Sequence, residues 1–330
     1  MTTTYTYVLL LTIFNAAILA YAYKLYVADK TEKKEPTLPS GDVPADYYED
    51  IEVAEKRNKL ISRTVEEAPA NAPVRSDAEV AAEIEESFAI LDYLVNKSLK
   101  GDLLSLIVAG PAGLGKSFSL EDAISKWDAA GLKHTIASGY VTPASLYKTL
   151  YTRRNSGDVL VFDDADSVFG DETSLNLLKA ALDTSEKRVI SYLSERKMKD
   201  DNNGSTIPKS FEFKGTVIFL TNLDFDRMIE KEHKNAVHFK AMLSRAHYID
   251  MGMRTVQDYI VRIKMVIGYG MLKNKGLTQE EENDVINFIE TRTSRLRELS
   301  LRVAIKIGEI RKGGEKNWAK MAERTTCRRK

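Results

Sequence analysis

Two stretches of the chain combine residue types that bind phosphate and magnesium. The first, GPAGLGKS at 110–117, fits the pattern G-x-x-x-x-G-K-S. Glycines let backbone N–H groups turn toward phosphate oxygens, the lysine reaches the β- and γ-phosphates, and the serine hydroxyl ligates Mg²⁺. The second, DVLVFDDAD at 158–166, places Asp163 and Asp164 directly after an apolar run. A carboxylate at that point can hold Mg²⁺, and its neighbour can orient or deprotonate a water molecule.

The elements on either side of the glycine-rich stretch are those that a phosphate-binding loop needs. Leu103–Ala109 is rich in Leu, Ile and Val, which predicts a buried strand. Lys116–Ala129 predicts a helix, whose N-terminus adds partial positive charge beside the loop. The alternative, a glycine-rich turn with an incidental lysine, gives no reason for this order of strand, loop and helix. We therefore predict nucleotide-binding roles for all eight residues of the loop: Gly110, Pro111, Ala112, Gly113, Leu114, Gly115, Lys116 and Ser117.

The aspartates of the second stretch lie where a metal ligand is expected. Val159–Phe162 predicts a buried parallel strand. Asp163, at the end of that strand, follows Lys116 by 47 residues, which leaves room for a helix, a strand and a second helix. Ser117 and Asp163 are therefore the predicted Mg²⁺ ligands, and Asp164 is a predicted catalytic residue. The alternative is that the adjacent aspartates only end the strand as turn formers.

The composition describes a folded chain without an overall charge bias. Of its 330 residues, 43% are hydrophobic and 29% are charged. Lys and Arg together number 48, as do Asp and Glu, so net charge predicts no partner. The single cysteine, Cys327, excludes a disulfide within the chain and a metal site built from several cysteines. The length suits about two domains of ~150 residues each.

The N-terminal segment has the character of a membrane anchor. Residues 5–23 carry no charge, and as a helix they would span about 28 Å, close to the ~30 Å hydrocarbon core. Tyrosines lie at both ends of this segment, and lysines follow it but do not precede it. We predict a single-pass transmembrane helix within 1–27, with the rest of the chain in the cytoplasm. A cleaved signal peptide and a buried core helix are the alternatives.

The remaining chain divides by composition. Residues 28–75 hold five of the eight prolines and an acidic run, which predicts a flexible linker. Residues 76–253 alternate strand and helix patterns, whereas 254–312 carry helix patterns alone. The last segment, 313–330, is a basic tail, for which nucleic acid, an anionic membrane and a disordered solvated end are the alternatives. Three further strands are predicted, over 134–137, 215–221 and 246–251. A hairpin is predicted over 188–213.

In this order, the elements and motifs resemble the AAA+ ATPase family over about residues 76–312. Three stretches carry most of the resemblance: GPAGLGKS at 110–117, VLVFDDAD at 159–166 and TVIFLTN at 216–222. The resemblance implies an α/β P-loop NTPase fold, in which helices flank a parallel sheet and a small all-helical lid follows. It also implies ATP and Mg²⁺ as ligands and a homo-oligomeric, hexamer-like ring. A phage or bacterial origin fits the short chain with one ATPase module.

The resemblance assigns roles to three more residues. Asn222 ends the TVIFLTN stretch, at the place of the residue that positions the attacking water. Arg245, in LSRAHYID, resembles the arginine that acts in trans on the nucleotide of a neighbouring subunit. Arg302, in LSLRVAIK, resembles the nucleotide-binding cis arginine of the lid. The alternative for both arginines is a surface or salt-bridge residue.

Three features bear on what the ATPase works on. Asp164 stands where the family usually has Glu, and its shorter side chain predicts a closer water or slow hydrolysis. The hairpin over 188–213 resembles one that lines a central pore, and its lysines either contact a phosphate backbone or are solvated. Tyr140, in Gly139-Tyr140-Val141, resembles the aromatic pore loop that grips peptide, or it is a packed residue.

These features support three functions. The first is an Mg²⁺-dependent ATPase that remodels a protein partner from the membrane. The second is a DNA-acting motor or helicase-loader-like ATPase. The third is an ATP-dependent switch or scaffold with slow hydrolysis.

Overall fold

A computed structural model of the chain describes residues 75–195, 197–200 and 204–329. The predicted anchor and all but the last residue of the predicted linker lie outside these ranges. The strands are β1 (Ser105–Ala109), β2 (His134–Ser138), β3 (Val159–Asp163), β4 (Val189–Ser191), β5 (Ser210–Glu212), β6 (Thr216–Thr221) and β7 (His247–Asp250). The predicted strands are confirmed, each to within two residues at either end. Within the described residues, no helix has both the length and the apolar character that crossing a membrane requires.

The central sheet has five parallel strands in the order β2-β3-β6-β1-β7. All five residues of β1 and all six of β6 are buried, because helices cover both faces of the sheet. Side chains alternate between two cores. Leu106 and Val108 point into one core, while Ile107 points into the other with Phe162 and Phe219. These continuous apolar runs are what a doubly covered parallel sheet requires.

Helices surround the sheet and then form a separate helical segment. Those of the α/β part are α1 (Asp77–Leu99), α2 (Lys116–Trp127), α3 (Pro143–Thr152), α4 (Glu172–Ala181), α5 (Phe225–Glu230) and α6 (Ala236–Leu243). Those that follow are α7 (Val256–Gly268), α8 (Gln279–Arg292), α9 (Leu301–Lys312) and α10 (Trp318–Thr326). Side-chain caps define several starts, as in the Ser76–Glu79 capping box of α1. Thr255 begins α7 in the same way with Asp258.

Helix α1 joins the two parts. It packs beside β1, as predicted, and also along α7 of the lid. Arg75 donates to Asp258 on α7 at 2.7 Å, and the Tyr269 hydroxyl donates to Glu85 on α1 at 2.8 Å. The N-terminal helix of the described chain is therefore bound to the lid as well as to the sheet.

The basic tail is folded, and the disordered alternative is wrong. Residues 318–326 form α10, which packs on α9, and Ala322 and Cys327 are buried. The backbone N–H of Arg328 donates to the Arg295 carbonyl at 2.8 Å. The lid therefore extends to the end of the described residues and does not stop at 312, because the apolar face of α10 completes its core.

The predicted hairpin is confirmed, and the packed alternative for Tyr140 is wrong. β4 and β5 pair antiparallel, and Phe211 of β5 packs on Tyr147 and Tyr151 of α3. Tyr140 is 72% exposed, whereas its neighbour Val141 is buried and donates its N–H to Ser167 at 2.9 Å. The backbone beside Tyr140 is thus held in place while the ring projects into solvent.

Candidate nucleotide-binding site

The sheet order brings the two chemical stretches together. β6 lies between β1 and β3, with Ala109 opposite Thr221 and Leu220 opposite Asp163. The loop after β1, Asn222 after β6, and Asp163 at the end of β3 therefore meet at one edge, where the carboxyl ends of parallel strands collect. These residues are more than 100 positions apart at the extremes, so the fold alone makes them neighbours.

The loop is shaped by two glycines in the left-handed region. Gly113 has φ 71° and Gly115 has φ 95°, conformations that favour residues without a Cβ atom. A Cβ atom at Gly113 would lie 2.7 Å from the Cβ of Ser300, so the loop also needs glycine for close approach to the lid. The Gly113 carbonyl accepts the N–H of Leu301 at 2.8 Å, which ties the loop to the first turn of α9.

Lys116 is held inside the loop. Its side chain is buried, and its ammonium donates to the carbonyls of Gly110 at 2.8 Å and Pro111 at 2.7 Å. It also donates to Asn222 Oδ1 at 3.3 Å. Five of the eight predicted loop residues line a cavity: Ala112, Gly113, Gly115, Lys116 and Ser117. Gly110 and Pro111 instead offer the carbonyls that Lys116 contacts, and Leu114 is buried in the core.

The two predicted metal ligands are paired. The Ser117 hydroxyl donates to Asp163 Oδ1 at 3.0 Å, so a hydroxyl and a carboxylate converge as they do in hard-cation sites. Burial raises the pKa of Asp163, and the charge of Asp164 raises it further, against the hydrogen bond from Ser117. A bound divalent cation would reverse this, since it favours the ionised carboxylate. The residues present therefore fit Mg²⁺.

Three predicted residues meet beside this pair. Asn222 Nδ2 donates to Asp164 Oδ1 at 2.8 Å. Arg302 Nη2 lies 4.0 Å from Asp164 Oδ2. The Arg302 side chain is 61% exposed and that of Asp164 is 50% exposed. Asp164 itself has φ 52°, which is uncommon for a residue other than glycine. The strand end is thus bent so that a carboxylate, an amide and a guanidinium face the same cavity.

The cavity has a volume of about 790 Å³ and a second, less polar end, which suits a nucleotide. Side chains from α1, α2 and the lid form this end: Phe88, Phe118, Val266, Tyr269, Met271, Leu301 and Ile305. Its position next to the loop fits a base and its sugar, with the phosphates at the polar end. The α/β part and the lid both contribute side chains to the cavity.

Sequence reasoning missed Arg262, which also lines the cavity. Its guanidinium stacks 3.6 Å above the Phe88 ring and donates to the Leu114 carbonyl at 3.3 Å. Burial lowers the pKa of Arg262 to about 10, because the charged form is poorly solvated there. The only signal in the sequence is a charged residue on the apolar face of α7, which identifies no ligand.

Arg245 does not line this cavity. It follows α6, where Nη1 donates to the Ala241 carbonyl at 2.7 Å and Nε lies 3.4 Å from Asp183. The side chain is about one third exposed. Of the catalytic residues predicted, Asp164 and Asn222 are therefore brought to the cavity and Arg245 is not.

Asp166 is a further titratable group beside the site that sequence reasoning left without a role. It accepts from the Thr221 hydroxyl at 2.6 Å, next to Asn222. Burial raises the pKa of Asp166 to about 6, and the charge of Asp164 adds to the shift. The unfolded chain binds this proton with a pKa near 3.9. Protonated Asp166 therefore contributes stability that is present below that value and is lost as pH rises through about 6.

We expect Asp166→Asn to change how stability depends on pH. From about pH 4.5 to about pH 8, the free energy of unfolding of the wild type should fall by about 2 kcal/mol relative to the variant, since each pKa unit is worth about 1.4 kcal/mol. Urea titrations at the two pH values measure this. Asp226→Asn, which removes an exposed carboxylate from α5, is the control. An equal pH dependence for both variants would contradict the assignment.

The sheet order, the loop between β1 and α2, and the Ser117–Asp163 pair define the α/β P-loop NTPase class. No family model matches the chain. The chain is 33% identical over 241 residues to an uncharacterized 36.7 kDa protein from the nrdC-mobD intergenic region of Enterobacteria phage T4. The match covers 72% of this chain and 73% of the phage protein. The chain belongs to the family of that phage protein.

Solved structures with a similar arrangement are more distant. The Holliday junction branch migration motor RuvB of Thermotoga maritima has a TM-score of 0.42 at 15% identity, over 74% of this chain and 68% of RuvB. NtrX of Brucella abortus, solved in complex with ATP, has a TM-score of 0.39 at 12% identity, over 79% of this chain and 55% of NtrX.

Proposed function

We propose that the protein is an Mg²⁺-dependent ATPase of the AAA+ type, which hydrolyses ATP at subunit interfaces to remodel a macromolecular partner. The observation that carries the proposal is the convergence of Lys116, Ser117, Asp163, Asp164 and Asn222 at one edge of the sheet. Lysine, hydroxyl, two carboxylates and an amide are the groups that transfer of a phosphoryl group to water requires.

Each group has a role that its position supports. Lys116 and the loop N–H groups bind the phosphates, with phosphate oxygens replacing the loop carbonyls that Lys116 now contacts. Ser117 and Asp163 would hold Mg²⁺, which would supply positive charge against the phosphates when bound. Asp164, oriented by Asn222, takes the proton of the attacking water. Arg302 supplies positive charge from the lid.

The proposed site is completed in a ring. Arg245 is held at the surface by Ala241 and Asp183, away from the cavity of its own chain. A head-to-tail arrangement of identical subunits that closes into a ring would place this arginine on the neighbouring nucleotide. We propose a hexamer-like assembly on this basis.

For the partner, we propose a polypeptide. The exposed ring of Tyr140 follows β2 on a backbone that Val141 holds in place, as a pore loop that grips peptide requires. The membrane tether within 1–27 is proposed on its sequence alone, with the ATPase domain in the cytoplasm. The short side chain of Asp164 supports a different candidate function, an ATP-dependent switch that hydrolyses slowly.

Phosphate release by the purified full-length chain tests these proposals. We expect hydrolysis that requires Mg²⁺ and rises severalfold with an unfolded protein, and Tyr140→Ala should lose this stimulation while keeping the basal rate. Tyr93→Ala is the matched control, since this tyrosine of α1 is also exposed, at 62%. Stimulation by DNA alone would favour the motor instead. Tight ATP binding without hydrolysis would support the ATP-dependent switch.

A further inference from the structure

The C-terminal helix and its flanks present a row of cationic side chains. Lys316, Lys320, Arg324 and Arg328 recur every four residues. Lys320 and Arg324 lie one turn apart on the same side of α10, and Lys316 and Arg328 lie two residues before and two residues after the helix. All four are exposed. Among the described residues, none of the four has an ion-pair partner. We call these four residues the basic row.

The basic row is held on a rigid element. The opposite side of α10 is buried through Ala322 and Thr326, and the Trp318 ring packs 5.7 Å from that of Phe288. The one glutamate within α10, Glu323, pairs with Arg295 at 2.5 Å and so does not neutralise the row. The helix backbone that carries Lys320 and Arg324 is therefore held in place, while their side chains are exposed to a ligand.

The spacing of the row fits a phosphate backbone. Four residues of helix rise about 6 Å, so Lys320 and Arg324 lie roughly 6 Å apart along the axis of α10, with Lys316 and Arg328 beyond its two ends. A strand of B-DNA carries one phosphate per ~3.4 Å of its axis, so several phosphates of one strand come within reach of the row. Exposed aromatic side chains, which would stack on bases, do not occur on the described surface of α10. The row therefore suits contacts to the backbone without reading of bases.

The same geometry disfavours a lipid surface. A helix that lies in a membrane interface needs an apolar face to insert between the headgroups. The apolar face of α10 is already covered by the lid, with Ala322 fully buried and Cys327 3% exposed. The surface of α10 that remains is mainly polar and charged, with Met321 as its one exposed large apolar side chain, and charge is what nonspecific binding of nucleic acid uses.

We propose that the basic row is a binding surface for the phosphate backbone of nucleic acid, independent of base sequence. This surface lies outside the proposed catalytic machinery, and its binding does not depend on ATP hydrolysis. Nucleic acid bound there would bring the ATPase to a nucleoprotein substrate. Binding of nucleic acid at the basic row can therefore be tested independently of ATP hydrolysis.

Fluorescence anisotropy with the full-length chain and a labelled random-sequence DNA duplex tests the proposal. Lys320→Glu/Arg324→Glu should weaken binding about tenfold or more. It should also lower the slope of log K against log salt by about 2, at about 0.9 per phosphate contact. The matched control, Lys231→Glu/Lys234→Glu, makes the same charge change at exposed lysines between α5 and α6 and should weaken binding less than about threefold. Thermal melts and basal ATPase confirm that both variants are folded.

Vesicles of phosphatidylcholine with about 30% phosphatidylserine provide the membrane comparison. No binding of the wild type to DNA, or an equal loss in both double variants, overturns the proposal. Binding to vesicles that depends on the row while binding to DNA does not would also overturn it. If the wild type shows no ATPase activity but binds DNA through the basic row, the proposed function is refuted and this inference is supported.

Discussion

Lys116→Ala is expected to reduce ATP hydrolysis by about 10³-fold, the effect of removing one preorganised charge from the transition state. Its ammonium is buried and donates to Gly110, Pro111 and Asn222, so it is positioned before nucleotide binds. Loss of a charged hydrogen bond of about 1.5–3 kcal/mol should also raise the Kd for ATP by about 10- to 150-fold. Phosphate release and binding of a fluorescent ATP analogue measure the two effects.

Lys126→Ala is the matched control on the same helix. Lys126 is exposed and pairs with Asp122 one turn earlier, an interaction worth about 0.3–0.5 kcal/mol. Both variants should keep the helical circular dichroism of the wild type. Hydrolysis by Lys116→Ala within about tenfold of the wild type would mean that the loop is not the phosphate-binding element.

Arg245→Ala is expected to lower kcat by about 10³-fold while the Kd for ATP stays within about twofold. The reason is that Arg245 lies outside the cavity of its own chain. It would therefore act only on the nucleotide of the neighbouring subunit, and its loss should not weaken ATP binding within its own chain. Arg154→Ala is a matched control, because Arg154 also donates to a backbone carbonyl, that of Tyr151. It should leave kcat and the Kd unchanged.

Mixing two inactive variants provides a sharper test of action in trans. A subunit with Arg245→Ala keeps an intact loop, and one with Lys116→Ala keeps an intact Arg245. When equal amounts assemble at random, about a quarter of interfaces join an intact loop to an intact arginine. Activity should therefore recover to about a quarter of the wild type. No recovery in assemblies of wild-type size would show that Arg245 does not act across the interface.

The described part of the fold follows closely from local patterns. Apolar runs marked β1, β3 and β6, and Ser76 and Thr142 cap their helices as polar N-cap residues do. Helices α5 and α10 were not predicted. α5 is only six residues long, and α10 has nine residues, of which three are charged and only two, Ala322 and Thr326, are buried. Periodicity identifies elements whose burial is continuous and misses short helices with few buried positions.

The sequence by itself determined the chemistry of the phosphate loop and the acidic strand end, because glycine, lysine, serine and aspartate at these spacings have few other uses. Tertiary structure alone decided which distant groups share the cavity. It brought Asn222 and Arg302 to Asp164, added Arg262 and Phe88, and left Arg245 outside. The physical reason is that β6 pairs between β1 and β3, and no local pattern records which strands will be neighbours.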